Sequence, residues 1–86
     1  MEIPGSIKWH SRRGMREIDL MLLPFVEQDL PNMDEAALKE YADLLEASDL
    51  ELVRWLDGSQ PADSESRRHI IGVIRECHAK RVGLDK

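Results

Sequence analysis

The chain has 86 residues, of which 42% are hydrophobic and 34% are charged, and its formal net charge at pH 7 is −5. This size and composition are typical of one small folded domain and exclude a chain that is disordered throughout. The charges are unevenly placed: between Glu17 and Glu51 eleven carboxylates accompany a single cation, Lys39. Such an acidic centre repels a nucleic-acid backbone, so we expect no nucleic-acid partner.

The single cysteine, Cys77, excludes an internal disulfide bond and favours a reducing compartment. The N-terminus carries neither the apolar stretch of a secretion signal nor an arginine- and serine-rich presequence. The longest apolar run, Leu20 to Leu23, is far too short to cross a membrane. We therefore expect a cytoplasmic protein that is not inserted in a membrane.

The first predicted element is a short helix from Ile7 to about Arg12, with Ser6 as a candidate cap and Gly14 as a left-handed stop. A second helix runs from about Met15 to Gln28. Pro24 should kink or break it, because proline has no amide for the carbonyl four residues earlier. The apolar residues of this helix follow the spacing of one buried stripe: Met15, Ile18, Leu22, Phe25 and Val26.

A third helix is predicted after residue 33, with Asn32 or Asp34 as its cap. Ser48 and Glu51 match a capping box, which predicts a short fourth helix that Gly58 closes. The inward-facing apolar residues are Leu38, Tyr41, Ala42 and Leu45 on the third helix, and Leu52, Val53 and Leu56 on the fourth.

A fifth helix, from about Asp63 to Arg81, carries Ile70, Ile71, Ile74 and Cys77 on one side. No segment alternates with a period of two residues and none repeats, so the predicted fold class is all-α, a small bundle of about five helices. We expect residues 1–86 to form a single helical domain whose ends, near 1–5 and 82–86, fray. We also expect the free chain to be a monomer.

Residues suited to metal binding or catalysis are sparse. The soft metal ligands His10, His69, Cys77 and His78 do not pair at the three- or four-residue spacing of a helical metal site. The sequence contains no recognisable nucleophile and base, and its glycines form no phosphate-binding loop. We expect neither a metal nor a cofactor held stably by this chain, and no enzymatic activity of its own.

The run from Arg12 to Asp19 places three guanidinium groups, a glycine and two carboxylates within eight residues. One interpretation is an exposed ion pair between Arg13 and Glu17, which are four residues apart. Gly14 breaks the helical register that this pair needs, and it favours a corner from which both charges point outward. We expect this corner to be a docking surface on which Arg13 and Glu17 lack partners within the chain.

The two tryptophans allow different interpretations. Trp55 lies between the apolar residues Val53 and Leu56, and we expect it in the core. Trp9 has polar neighbours, so a core position and a partner-anchoring position both remain open.

The run Arg-Arg-Gly-Met-Arg-Glu-Ile-Asp at 12–19 resembles the RGxxE signature of the succinate dehydrogenase assembly factor 2 family, called SdhE in bacteria. The resemblance covers most of the chain. Further similar positions are Ile7-Lys8-Trp9, Pro24-Phe25 with Glu27, Asp49-Leu50, Trp55-Leu56 and Pro61-Ala62-Asp63.

The resemblance implies a five-helix fold and a role in covalent attachment of FAD to the flavoprotein subunit of succinate dehydrogenase, and in bacteria also of fumarate reductase. It implies a factor that is not an enzyme but holds the flavoprotein while the flavoprotein's own histidine bonds to the flavin. FAD is then attached to the partner. The resemblance assigns partner contact to Arg13, Gly14 and Glu17, with Arg12, Met15, Arg16 and Asp19 as neighbours, and we add Trp9 to this set.

Two other classes of function remain as alternatives. An antitoxin-like module would neutralise a basic partner through the acidic residues from Glu27 to Glu51, and it would not need Gly14. A helix-turn-helix regulator would need a basic recognition helix, whereas the third and fourth predicted helices are acidic.

Overall fold

The computed structural model describes residues 1–83 and contains five α-helices. These are α1 (Gly5–Ser11), α2 (Arg16–Pro24), α3 (Glu35–Leu44), α4 (Asp49–Leu56) and α5 (Glu65–Val82). Within residues 1–83 there is no β-strand. The predicted all-α bundle of about five helices is confirmed.

The second predicted helix changes its geometry at Pro24. Here α2 ends, and a π-helical turn, Phe25–Asp29, and a 3-10 turn, Leu30–Asn32, follow directly. The amide of Phe25 donates to the carbonyl of Leu22, three residues back, whereas the amide of Leu30 donates to Phe25, five residues back. The predicted interruption at Pro24 is confirmed, and it takes the form of a widened turn.

Side-chain caps define where three of the helices begin. Asp34, and not Asn32, caps α3 by accepting a hydrogen bond from the amide of Ala37 at 3.0 Å. The predicted capping box of α4 is present, with Ser48 and Glu51 each accepting from the other's amide at 3.2 and 3.1 Å.

The first and fifth helices begin at other residues than predicted. Ser64 caps α5, so this helix begins at Glu65 rather than near Asp63. Ser6 is not a cap, because α1 begins at Gly5 after Pro4 and has no side-chain cap. Proline is well suited to this position, since its fixed φ favours helix entry and it has no amide to satisfy.

The core lies between α2, α3, α4, α5 and the widened turn. Phe25 and Tyr41 form its aromatic centre, with ring centroids 5.4 Å apart. Trp55 is buried, as predicted, and Cys77 is partly buried at the edge of the core. Other fully buried side chains are Ile18, Leu22, Leu30, Leu44, Leu52, Ile70 and Ile74.

The N-terminal residues also contact the bundle. Ile3 is buried in the core, and the amino group of Met1 donates to the carbonyl of Pro31 at 3.0 Å. Fraying of residues 1–5 stays a prediction. The predicted fraying at 82–86 falls mostly on residues 84–86, which lie outside the described residues, while Val82 ends α5 and Gly83 adopts a left-handed conformation.

Arg67 connects the end of α3 to the start of α5. Its guanidinium donates to the side chain and the carbonyl of Asp43, both at 3.0 Å, and to the carboxylate of Asp63 at 3.1 Å. It also lies 6.0 Å from the ring centre of Trp55. The guanidinium thus joins residues from three helical segments around one buried indole.

Within residues 1–83, no helix combines the length and the apolar character that crossing a bilayer requires.

Gly72, in the middle of α5, provides a test of this helix. A Cβ added at Gly72 would meet nothing within 4 Å. We expect Gly72→Ala to raise the free energy of unfolding by about 0.5–1 kcal/mol, because alanine loses less conformational entropy in a helix. Urea unfolding followed by circular dichroism measures the change. The matched variant is Gly14→Ala, where φ is 79°. We expect it to lower the free energy of unfolding by about 1 kcal/mol, because alanine is strained in a left-handed conformation. A lower free energy of unfolding in Gly72→Ala would contradict the prediction.

Candidate functional site

The corner between α1 and α2 is formed by residues 12–15. Arg12 leaves α1 with an extended backbone, Gly14 has a φ of 79°, and Met15 is extended before α2 begins. The predicted left-handed glycine is confirmed. A Cβ at Gly14 would meet nothing within 4 Å, so the backbone conformation rather than crowding within the chain requires a glycine here.

The guanidinium of Arg13 is held within the chain. Nε donates to the carbonyl of His10 at 3.0 Å, and Nη1 donates to the carbonyl of Ala47 at 3.3 Å and to Oδ1 of Asp49 at 3.2 Å. Nη2 donates to the carbonyl of Leu45. Only 17% of the side chain is exposed. The expectation that Arg13 lacks partners within the chain is therefore wrong.

The position of the Arg13 partners explains this arrangement. The carbonyls of Leu45 and Ala47 lie just beyond the last residue of α3, where the negative end of the helix dipole favours a cation. The alternative ion pair between Arg13 and Glu17 is also wrong, because the carboxylate that binds Arg13 is that of Asp49. Gly14 separates Arg13 from α2, as its place in the sequence suggested.

Asp19 and Met15 contact other parts of the chain at this corner. Oδ1 of Asp19 accepts a hydrogen bond from the backbone amide of Arg13 at 3.0 Å, and the Asp19 side chain is partly buried. Met15 is partly buried against the core. Both residues were predicted as partner contacts, and the structure gives them contacts within the chain.

The remaining corner residues face outward. Arg12, Gly14, Arg16 and Glu17 are exposed. The Glu17 carboxylate, in the first turn of α2, forms no hydrogen bond or ion pair with residues 1–83, which agrees with the expected outward orientation of Glu17.

Two large apolar side chains lie on the same elements. Trp9 is 73% exposed, so of its two interpretations the core position is wrong. Leu20, one helical turn after Glu17, is 56% exposed and was not among the predicted site residues. Its position outside the stripe formed by Ile18 and Leu22 is the feature that could have revealed it. An open groove is lined on one side by residues 45–47 and on the other by Trp9, His10, Arg12 and Arg13.

A buried hydrogen bond fixes the end of α1. Ser11 is fully buried, its hydroxyl donates to the carbonyl of Ile7 at 2.7 Å, and it lies 2.7 Å from the hydroxyl of Tyr41, which can donate to it. Burial raises the pKa of Tyr41 to about 12, although the Ser11 bond and the charge of Arg13 act in the opposite direction. The residue before the corner is thus attached to α3.

Among residues 1–83, no cluster of three or more histidine, cysteine, aspartate or glutamate side chains could hold a metal ion.

Comparison with known proteins relates this corner to a family. A family model described as "Flavinator of succinate dehydrogenase" matches residues 6–78. The match covers α1 except its first residue, the whole corner, α2 to α4 and most of α5. The chain belongs to this family. The family resemblance that the sequence indicated is therefore confirmed.

Curated relatives carry the name FAD assembly factor SdhE. The protein of Pseudomonas aeruginosa is 38% identical over 67 residues, which cover 77% of this chain and 80% of the relative. That of Haemophilus ducreyi is 38% identical over 70 residues, covering 81% and 85%. That of Aliivibrio fischeri is 31% identical over 81 residues, covering 94% of both chains. The similarity thus covers between 80% and 94% of the length of these three relatives.

Tyr41 should make stability depend on alkaline pH. The unfolded chain ionises the phenol at its ordinary pKa of 10.0, whereas the folded protein keeps it protonated up to about 12. Its contribution to stability is complete below pH 10 and is lost between pH 10 and 12, at about 1.4 kcal/mol per pH unit. We expect the stability of Tyr41→Phe not to show this decrease between pH 10 and 12. Chemical unfolding at several pH values measures it, and parallel curves for the two proteins would contradict the assignment.

Proposed function

We propose that this chain binds the flavoprotein subunit of succinate dehydrogenase and promotes covalent attachment of FAD to that subunit. Membership of the flavinator family supports the reaction class and the partner. The observation that carries the proposed site is the exposed carboxylate of Glu17, which has no partner within residues 1–83 and follows an exposed left-handed glycine, Gly14, by three residues.

The outward-facing residues of the corner make the contact. Glu17 accepts hydrogen bonds from an arginine or an amide of the partner, and Arg12 and Arg16 donate to carboxylates or carbonyls. Gly14 lets the partner's backbone approach closely, because no side chain occupies the space above it. Trp9 supplies a large apolar surface of the kind that contributes strongly to binding.

The role we propose is that of an assembly factor and not of an enzyme. A protein that binds the reactive arrangement of its partner more tightly than other arrangements raises the population of that arrangement. The bond-forming step then belongs to the flavoprotein's own histidine and to FAD. The chain itself holds no cofactor stably in this mechanism, and it acts in the cytoplasm as a monomer that also serves the flavoprotein of fumarate reductase.

The carboxylate of Glu17 is the first test of the site. We expect Glu17→Ala to lower covalent flavin on the flavoprotein at least tenfold, since truncating a partner-facing charge commonly costs about 2–5 kcal/mol of binding. The chain is co-expressed with the flavoprotein subunit in bacteria that lack their own factor. Flavin fluorescence of the subunit in a denaturing gel measures the product.

Glu35→Ala is the matched control, because Glu35 is likewise an exposed glutamate in the first turn of a helix, but in the acidic middle of the chain. We expect it to leave flavinylation unchanged. Equal flavin with and without the unaltered chain would reject the proposed function. Normal flavin with Glu17→Ala would reject the site, and a loss with Glu35→Ala but not Glu17→Ala would place the flavoprotein contact in the acidic middle of the chain rather than at the corner.

Trp9 should matter for binding but not for stability. The side chain is 73% exposed, so Trp9→Ala should change the free energy of unfolding by less than about 0.5 kcal/mol. We expect the affinity for the flavoprotein, measured by calorimetry, to fall about tenfold or more. Val82→Ala on α5, at a residue that is 52% exposed, is the control with unchanged affinity. Unchanged affinity in Trp9→Ala would remove Trp9 from the interface.

A further inference from the structure

We propose that Arg13 is a positioning residue, which shapes the corner by attaching it to residues 45–49 and does not itself contact the flavoprotein. This inference rests on the function proposed above. It separates two roles within one short motif, because Glu17 and Gly14 face the partner while the adjacent arginine faces the bundle.

The guanidinium has little capacity left for another molecule. Its three nitrogens donate to three carbonyls and one carboxylate, and only 17% of the side chain is exposed. The carbonyls belong to His10, Leu45 and Ala47. To bind a partner through Arg13, the protein would have to leave the partly buried carbonyls of Leu45 and Ala47 without this donor, which costs free energy at each of them.

The backbone of Arg13 connects these contacts to α2. Its amide donates to the carboxylate of Asp19, so this one residue is bound through its side chain to the end of α3 and through its backbone to the first turn of α2. Glu17 lies in the same turn as Asp19, and Gly14 follows Arg13 directly. Loss of the Arg13 contacts therefore makes the corner, residues 12–15, more mobile, and it leaves the orientation of the Glu17 side chain less defined.

Asp49 distinguishes positioning from direct contact. It binds Arg13 at 3.2 Å, although it lies 36 residues further along the chain. The capping box of α4 uses Ser48 and Glu51, so an alanine at position 49 leaves that cap in place. If Arg13 contacted the partner, removing the Asp49 carboxylate would release its guanidinium and would not weaken binding. If Arg13 is a positioning residue, the same change weakens binding.

The test compares Asp49→Ala with Asp63→Ala. Asp63 likewise binds an arginine, Arg67, whose side chain is also 17% exposed, but at the start of α5. We expect Asp49→Ala to lower the affinity for the flavoprotein about fivefold to tenfold, as for loss of a charge-assisted hydrogen bond, and to lower covalent flavin with it. Asp63→Ala should lower neither. Asp49→Glu, which restores the carboxylate, should recover most of the affinity.

Two further measurements separate positioning from a general loss of stability. Thermal unfolding should show similar midpoints for the two alanine variants. Hydrogen exchange at the Arg13 amide, the donor to Asp19, should become at least about fivefold faster in Asp49→Ala and stay unchanged in Asp63→Ala.

The outcomes are distinct. Normal affinity and flavin with Asp49→Ala, while the unaltered chain is active, would overturn the positioning role and leave the proposed function intact. Equal losses in both alanine variants, in proportion to their thermal midpoints, would also overturn it, because they would show a general effect of stability. No added flavin with the unaltered chain would overturn both proposals together.

Discussion

The C-terminal end of α3 is the point at which most of this small bundle is joined. Arg13 reaches it from the corner between α1 and α2, and Arg67 reaches it from α5. Both donate to backbone carbonyls in or just after the last turn of α3, where the helix leaves acceptors without internal donors. An 86-residue chain has a thin core. Charge-assisted hydrogen bonds that connect distant segments at this point therefore contribute a larger share of the stability than they would in a protein with a larger core.

This arrangement gives the corner an inner and an outer layer. Arg13 and Asp19 bind each other and the bundle, while Arg12, Gly14 and Glu17 face solvent. The hydroxyls of Ser11 and Tyr41 secure the preceding residue in the same way. A docking surface benefits from such support, because a rigid contact loses less conformational entropy when it binds. In the function that we propose, the signature from Arg12 to Asp19 thus combines residues that contact the partner with residues that fix the orientation of those contacts.

Local chemistry explains which features could be predicted from the sequence. The capping box of Ser48 and Glu51 and the left-handed Gly14 depend on residues a few positions apart, and both were predicted correctly. Three of the side-chain partners of Arg13, namely Leu45, Ala47 and Asp49, lie 32 to 36 residues away, so only the packed bundle brings them together. The sequence placed Arg13 in the right motif but gave it the wrong orientation. The burial of Ser11 escaped prediction for the same reason, since its partner Tyr41 is 30 residues distant.

The widened turn after Pro24 adds one residue to the chain without turning its buried face away from the core. Phe25 and Leu30 are both buried at a spacing of five residues, and Asp29, between them in the turn, binds Arg81 at the surface. A π-helical turn is equivalent to an α-helix with one inserted residue. Deleting one residue from this turn would restore an ordinary α-helical turn, in which Phe25 and Leu30 would stand four residues apart and would still face the same side. This segment can therefore lose a residue and keep its buried face, whereas the same deletion inside α5 would rotate the rest of that helix by roughly a quarter of a turn.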